Sequence, residues 1–199
     1  MSMHKILLAS SFLCLLLVQP VAATVHFFHI EELYSTPAGT LQFVELDTDF
    51  NNQNLFKTGG NNARLTSKTA GNDVHATYFF PNDLPSMATE SHSVLVGTAN
   101  VLAIGGVTPD FIMPADFLLL EGGILEFASD VFGTFNTVTY PALPTGKNSY
   151  DAQQQTTGLN TPTNFAGVVG EVPEPSSIVL AALTLASAWG LFGRRGRRR

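Results

Sequence analysis

The last six residues of this 199-residue chain hold five arginines, Arg194, Arg195, Arg197, Arg198 and Arg199, directly behind an almost unbroken apolar run over residues 178–192. Such a run is poor material for a soluble core, because packing it inward would pull the arginines out of water at several kcal/mol per ion. Residues 176–193 make a helix of about 27 Å, enough to cross a somewhat thin bilayer. Ile178, Leu180, Leu183, Leu185, Trp189, Leu191 and Phe192 then form a single transmembrane anchor, and the arginines stop transfer by staying on the cytoplasmic side. The rest of the chain is left to fold on the outer side of that membrane.

The other end is also apolar, but shorter. His4 and Lys5 precede an apolar stretch over residues 6–18, and Pro20-Val21-Ala22-Ala23 follows. Charged, apolar and small residues stand in the order of a secretion signal. As a helix the stretch spans roughly 20 Å, too little for a hydrocarbon core of about 30 Å. Residues 1–23 therefore read as a signal peptide with an N-terminal signal helix, cut after Ala23 by signal peptidase once the general secretion machinery has engaged it. Cys14 is the only cysteine and leaves with this segment. Leu13 stands where a lipid-attachment signal needs a small residue. The mature chain has no disulfide and must be stabilised by packing.

Between the folded part and the anchor stands Val172-Pro173-Glu174-Pro175-Ser176. Two prolines around Glu174 remove helix hydrogen bonds and favour an extended backbone, the form in which a protease or transpeptidase reads a chain. Ser176 or Ser177 can cap the helix that follows. Tripeptide, apolar helix and basic end, in this order over residues 172–199, resemble the PEP-CTERM sorting signal of Gram-negative bacteria that make extracellular polysaccharide. That resemblance implies an exosortase-type transpeptidase as partner. It also implies an inner-membrane-anchored precursor with a periplasmic domain, and a product at the cell surface or in the extracellular or biofilm matrix. A permanent single-pass anchor that is never processed is the alternative.

Residues 24–172 carry four Lys or Arg against fifteen Asp or Glu, a formal charge of −11. A domain this acidic repels phosphate backbones and anionic lipid heads, which excludes nucleic acid as a partner. Its length suits one compact domain. Short β-rich runs are expected at 25–33, 40–46, 74–80, 93–98, 117–120, 124–128 and 135–140. They are punctuated by turn-forming groups such as Thr36-Pro37-Ala38-Gly39, Pro81-Asn82-Asp83 and Pro144-Thr145-Gly146. No 3.6-residue periodicity competes, so the fold class is all-β, an immunoglobulin-like antiparallel sandwich over residues 24–152. Leu41 and Phe43 point to one face of the second strand, Val44 and Leu46 to the other, which marks an interior strand. Phe117 to Phe127 reads as a hairpin turning at Glu121-Gly122-Gly123. Residues 153–171, rich in Gln, Thr, Gly and Asn, read as a flexible linker.

His29-Ile30-Glu31-Glu32-Leu33, Gly39 to Leu46, Asn54-Leu55 and Phe79-Phe80-Pro81 together resemble the lamin-tail type of immunoglobulin-like sandwich. Phe56-Lys57-Thr58-Gly59 replaces that family's usual Gly-Trp pair. The resemblance implies an adhesion or assembly module.

Catalytic and metal patterns fail residue by residue. Asp47-Thr48-Asp49-Phe50-Asn51 starts like a calcium loop but has Asn52 at the glycine position and Thr58 at the bidentate position. His26 and His29, three apart on a strand, point to opposite faces and cannot share one ion. His75 and His92 are isolated, and Glu90-Ser91-His92-Ser93 are chain neighbours whose side chains diverge. No catalytic residue, metal ligand or cofactor is assigned. The expectation is a non-enzymatic surface protein, with extracellular polysaccharide among its partners. The rival is a secreted hydrolase acting on polysaccharide through a carboxylate pair.

Overall fold

The computed structural model describes residues 24–170. The expected cleavage at Ala23, the Val172–Ser176 motif, the apolar anchor and the arginine cluster lie outside the described residues, as do both terminal helices. Among the described residues no helix is long and apolar enough to cross a membrane.

Among the described residues, ten strands and one short helix follow one another as β1 (His29–Ser35), β2 (Gln42–Thr48), β3 (Arg64–Lys68), β4 (Val74–Phe79), β5 (His92–Gly97), α1 (Asn100–Gly105), β6 (Phe111–Ile112), β7 (Gly123–Ser129), β8 (Gly133–Tyr140), β9 (Asn148–Asp151) and β10 (Thr156–Leu159). They form a six-stranded sheet in the order β10-β9-β1-β2-β5-β6 and a four-stranded sheet in the order β4-β3-β7-β8. The alternation of each strand sends Ile30, Leu33, Val44, Leu46, Val94 and Val96 from the first sheet, and Leu65, Tyr78, Leu125, Phe127 and Val138 from the second, into one shared core. An all-β, two-sheet sandwich is thus the architecture.

Phe56 sits at the centre of that core although it belongs to neither sheet. It is fully buried. Its ring lies 4.6 Å from Phe80, 5.2 Å from Phe28, 5.6 Å from Phe111 and 6.0 Å from Phe127 in tilted contacts. The large ring of the connector between β2 and β3 therefore fills the space between the layers.

The interior-strand expectation for β2 holds, since β1 and β5 flank it. Its second apolar face meets a smaller cluster of Tyr34, Leu41, Phe43, Leu95, Val101 and Val107, which α1 helps to cover. Tyr34 stacks on Phe43 at 5.2 Å. Apolar residues on both faces follow directly from a sheet that is covered on both sides there.

Several expectations are corrected. Residues 25–28 turn instead of extending, with the Phe28 N–H on the Val25 carbonyl, so β1 starts at His29. Strand β3 was missed because Arg-Leu-Thr-Ser-Lys shows only one apolar side chain. The sandwich is not purely antiparallel: β5 and β6 pair in parallel.

Residues 117–120 form no strand, and the expected hairpin is absent. The buried Gln42 side chain takes the partner strand's place. Its Nε2 donates to the Leu118 carbonyl at 2.9 Å and its Oε1 accepts the Leu118 N–H at 3.0 Å. Gly122, at φ 100°, makes the turn into β7. Strand β7 is hydrogen-bonded to β3 and β8 instead, and β3 comes so close at its end that a side chain on Gly123 would meet the Lys68 carbonyl at 2.5 Å.

The expected linker is folded too. Residues 148–159 extend the six-stranded sheet as β9 and β10, and residues 160–170 lie back across it. Composition misled here because a chain rich in Thr, Gly and Asn can be ordered by backbone bonds to buried acceptors, which leave no apolar pattern behind.

Candidate functional site

The outer face of the six-stranded sheet gathers acid. In β2, Glu45 and Asp47 are two apart and share that face. In β1 a bulge between Ile30 and Glu32 sets two residues against Glu45 and brings Glu31 and Glu32 to the same side. Asp151 of β9 stands opposite Glu32. The five carboxylates line one cavity of about 280 Å³ together with Ser149 and Thr161.

The two most enclosed acids are held by the chain itself. Glu32 is 8 % exposed and Glu45 6 %. Glu32 accepts the Thr161 N–H at 3.0 Å, and Glu45 accepts the Thr163 N–H at 2.7 Å. Pro162 lies between them, at the one position that presents no N–H. Burial, reinforced by the nearby Glu32 and Asp47, pushes the Glu45 carboxyl up to about 8. Burial also raises Glu32, against hydrogen bonds from Ser149 and Thr161. It raises Glu31 as well, against the opposing charge of His29, whose Nε2 lies 3.2 Å away.

A carboxyl that keeps its proton near neutrality beside other acids can donate or take a proton, or bind a cationic group once ionised. The cavity lining contains no aromatic ring on which a sugar could stack. Among the described residues no group of three or more His, Asp or Glu side chains is placed to hold a metal ion.

The residues weighed for chemistry are scattered by the fold. His26 packs on Phe27 at 4.1 Å and approaches Phe132 at 6.0 Å. His29 pairs with Glu31 at the rim of the acidic face. His75 is hydrogen-bonded to the Asp116 carbonyl at 2.8 Å, and His92 packs on Phe165 at 5.0 Å. Asp47 lies inside β2 and not in a loop, which removes the first position of the calcium-like pattern. Ser93 joins Glu45 through a hydrogen bond. Sequence reasoning did not join Glu31, Glu32, Glu45, Asp47 and Asp151. The spacing of Glu45 and Asp47 was a visible signal, whereas the cross-strand register was not.

The chain beyond the sandwich is informative as well. Comparison with curated proteins and with solved structures gives no match. Residues 171–199 match the PEP-CTERM protein-sorting motif, beginning at the residue after Gly170. The chain thus carries, at the exit of a folded β-sandwich, the sorting motif of PEP-CTERM proteins, the mark of an exported, membrane-passing protein.

Proposed function

We propose that this is an exported surface or extracellular-matrix protein. Its inner-membrane-anchored precursor, with the sandwich on the periplasmic side, is read through Pro173-Glu174-Pro175 by an exosortase-type transpeptidase. The product then works at the cell surface as a non-catalytic binding or structural module, with extracellular polysaccharide as its surroundings or ligand. The observation that carries this is the sorting-motif match over residues 171–199, directly behind the folded domain. An immunoglobulin-like sandwich of the lamin-tail type is supported by where the resembling residues fall: on β1, on β2 and at the end of β4.

Replacing Pro173, Glu174 and Pro175 by alanine is expected to leave a larger, membrane-bound species in cells that hold a cognate exosortase. Immunoblots of membrane and medium, with intact-mass measurement of the product, check this. A variant processed and released like the parent would defeat the sorting role.

One observation favours a second reading, a hydrolase acting on polysaccharide: Glu45 retains a proton near neutrality directly across from Glu32. Cross-strand neighbours have Cβ atoms about 4.5–5.5 Å apart, which places both carboxyls within reach of one substrate. Against it, both carboxyls are already bonded to Thr161 and Thr163, so a sugar would have to displace chain to reach them. The non-catalytic reading expects no new reducing ends from a panel of acidic and neutral polysaccharides incubated with the protein. Release that Glu45→Gln lowers by about 1,000-fold, the order of losing a general acid, would install the second reading.

A further inference from the structure

Residues 160–170, the last stretch before the sorting motif, cross the strands of the six-stranded sheet instead of joining it. Three amides at alternate positions face down, and each meets an acid on a different element, two of them buried and the third half-buried. The Thr161 N–H meets Glu32 on β1, the Thr163 N–H meets Glu45 on β2, and the Phe165 N–H meets Asp110 beside β6 at 2.8 Å. Asp110 also accepts the Leu95 N–H of β5 with the same oxygen. The Asn164 Nδ2 donates to the Thr108 carbonyl at 3.0 Å, and the Phe165 ring rests on His92. The segment then doubles back on itself, through a bridge between Thr163 and Val169 and a bond from the Gly170 N–H to the Pro162 carbonyl. Its first residue, Asn160, is held as well, its N–H and its Nδ2 both donating to the Lys147 carbonyl at 2.8 and 2.6 Å, so release breaks these bonds along with the three to the acids. Among the described residues its one β-bridge is the internal one, so β9 and β10 stay paired.

The position matters because Gly170 stands three residues before Pro173. With the segment in place, the motif can lie no more than about 11 Å from the sandwich. With it released from Leu159 onward, the tether grows to roughly 46–50 Å. We propose that residues 160–170 are a releasable strap: closed, it holds the sorting motif against the sandwich, and open, it lets the transpeptidase reach the motif. This rests on the sorting reading above.

The acids under the strap set the sign of its pH dependence. Glu45 is faced by Glu32 of β1, Asp47 of its own strand and the Ser93 hydroxyl of β5. Glu32 is faced by Asp151 of β9, while Glu31 beside it carries His29 and also senses Asp47 and Asp151. Asp110, raised by burial, meets the Leu95 and Phe165 amides. Releasing the strap removes the Thr163 N–H, which favours the ionised carboxylate, together with part of the burial, the larger cause, which holds the Glu45 carboxyl up at about 8, so the closed state binds the proton more tightly. That contribution to the closed strap is full below the ordinary 4.5 and is lost as pH rises through about 8. Glu32 and Asp110 act in the same direction.

The test is hydrogen–deuterium exchange on the full chain in detergent micelles at pH 5.5 and 8.5, corrected for intrinsic amide rates. Opening at Thr161, Thr163 and Phe165 is expected to rise together by about tenfold or more, while the Val44 and Leu46 amides of β2 do not follow. Glu45→Gln keeps a carbonyl acceptor without the charge and should lessen the rise, leaving the part owed to Glu32 and Asp110. Glu45→Ala should open the strap at both pH values and speed processing in cells with a cognate exosortase. Strap amides that exchange only together with β2 would overturn the proposal, and so would processing unchanged in Glu45→Ala with the strap open. A parent that is never processed would instead remove the sorting reading, and the exchange rates alone would then decide whether the strap opens.

Discussion

Phe56→Ala is expected to cost about 3–5 kcal/mol of unfolding free energy, the range for truncating a large buried aromatic ring. The ring packs against four others drawn from β6, β7, the connector after β4 and the segment before β1, so removing it leaves a hole that neither sheet can close without moving the other. Phe56→Leu, which keeps much of the volume, should cost clearly less. Denaturant titration of the purified chain, followed by circular dichroism, reads both. Equal small losses for the two variants would mean that Phe56 is not the plug between the layers.

Gln42→Leu is the second large effect. The change keeps the apolar volume but strands both the N–H and the carbonyl of Leu118, while the Ser35 hydroxyl, which the Gln42 amide reaches at 3.0 Å, keeps its bond to the Thr36 carbonyl. Each of these two buried orphans costs about 1–3 kcal/mol, so a loss of about 2–6 kcal/mol is expected, together with fast amide exchange at Leu118. A stability within about 0.5 kcal/mol of the parent would show that segment 117–120 is held by its apolar contacts alone, since surface-like changes fall in that range.

The two corrections that matter most for function share a physical origin. The expected strand at 117–120 failed because a single side-chain amide can satisfy both backbone groups of a residue, and nothing in Phe117-Leu118-Leu119-Leu120 advertises a partner 76 residues away. The expected linker failed for the complementary reason. Thr161-Pro162-Thr163 looks like spacer, yet its proline falls where no N–H is needed and its two threonines fall where buried acids wait. A polar segment recruited by backbone bonds has no hydrophobic period to read.

Glu45 illustrates the limit from the other side. Its place on an interior strand was legible, because Leu41, Phe43, Val44 and Leu46 alternate around it, and an acid in that setting already departs from the pattern. Its proton was not legible. That depends on Glu32 across the strand pair, on Asp47, and on Thr163, 118 residues further along the chain.

What this chain determines through sequence alone is whatever one short stretch can specify by itself. The Pro-Glu-Pro with its apolar run and basic end is such a stretch, as are most of the alternating strands and their turns. Tertiary structure alone decided the aromatic plug at Phe56, the acidic cavity and the strap over it. Each of those is a meeting of residues far apart in sequence, and the free energies that fix them, burial and desolvation of acids and amides, exist only once the sheets have closed.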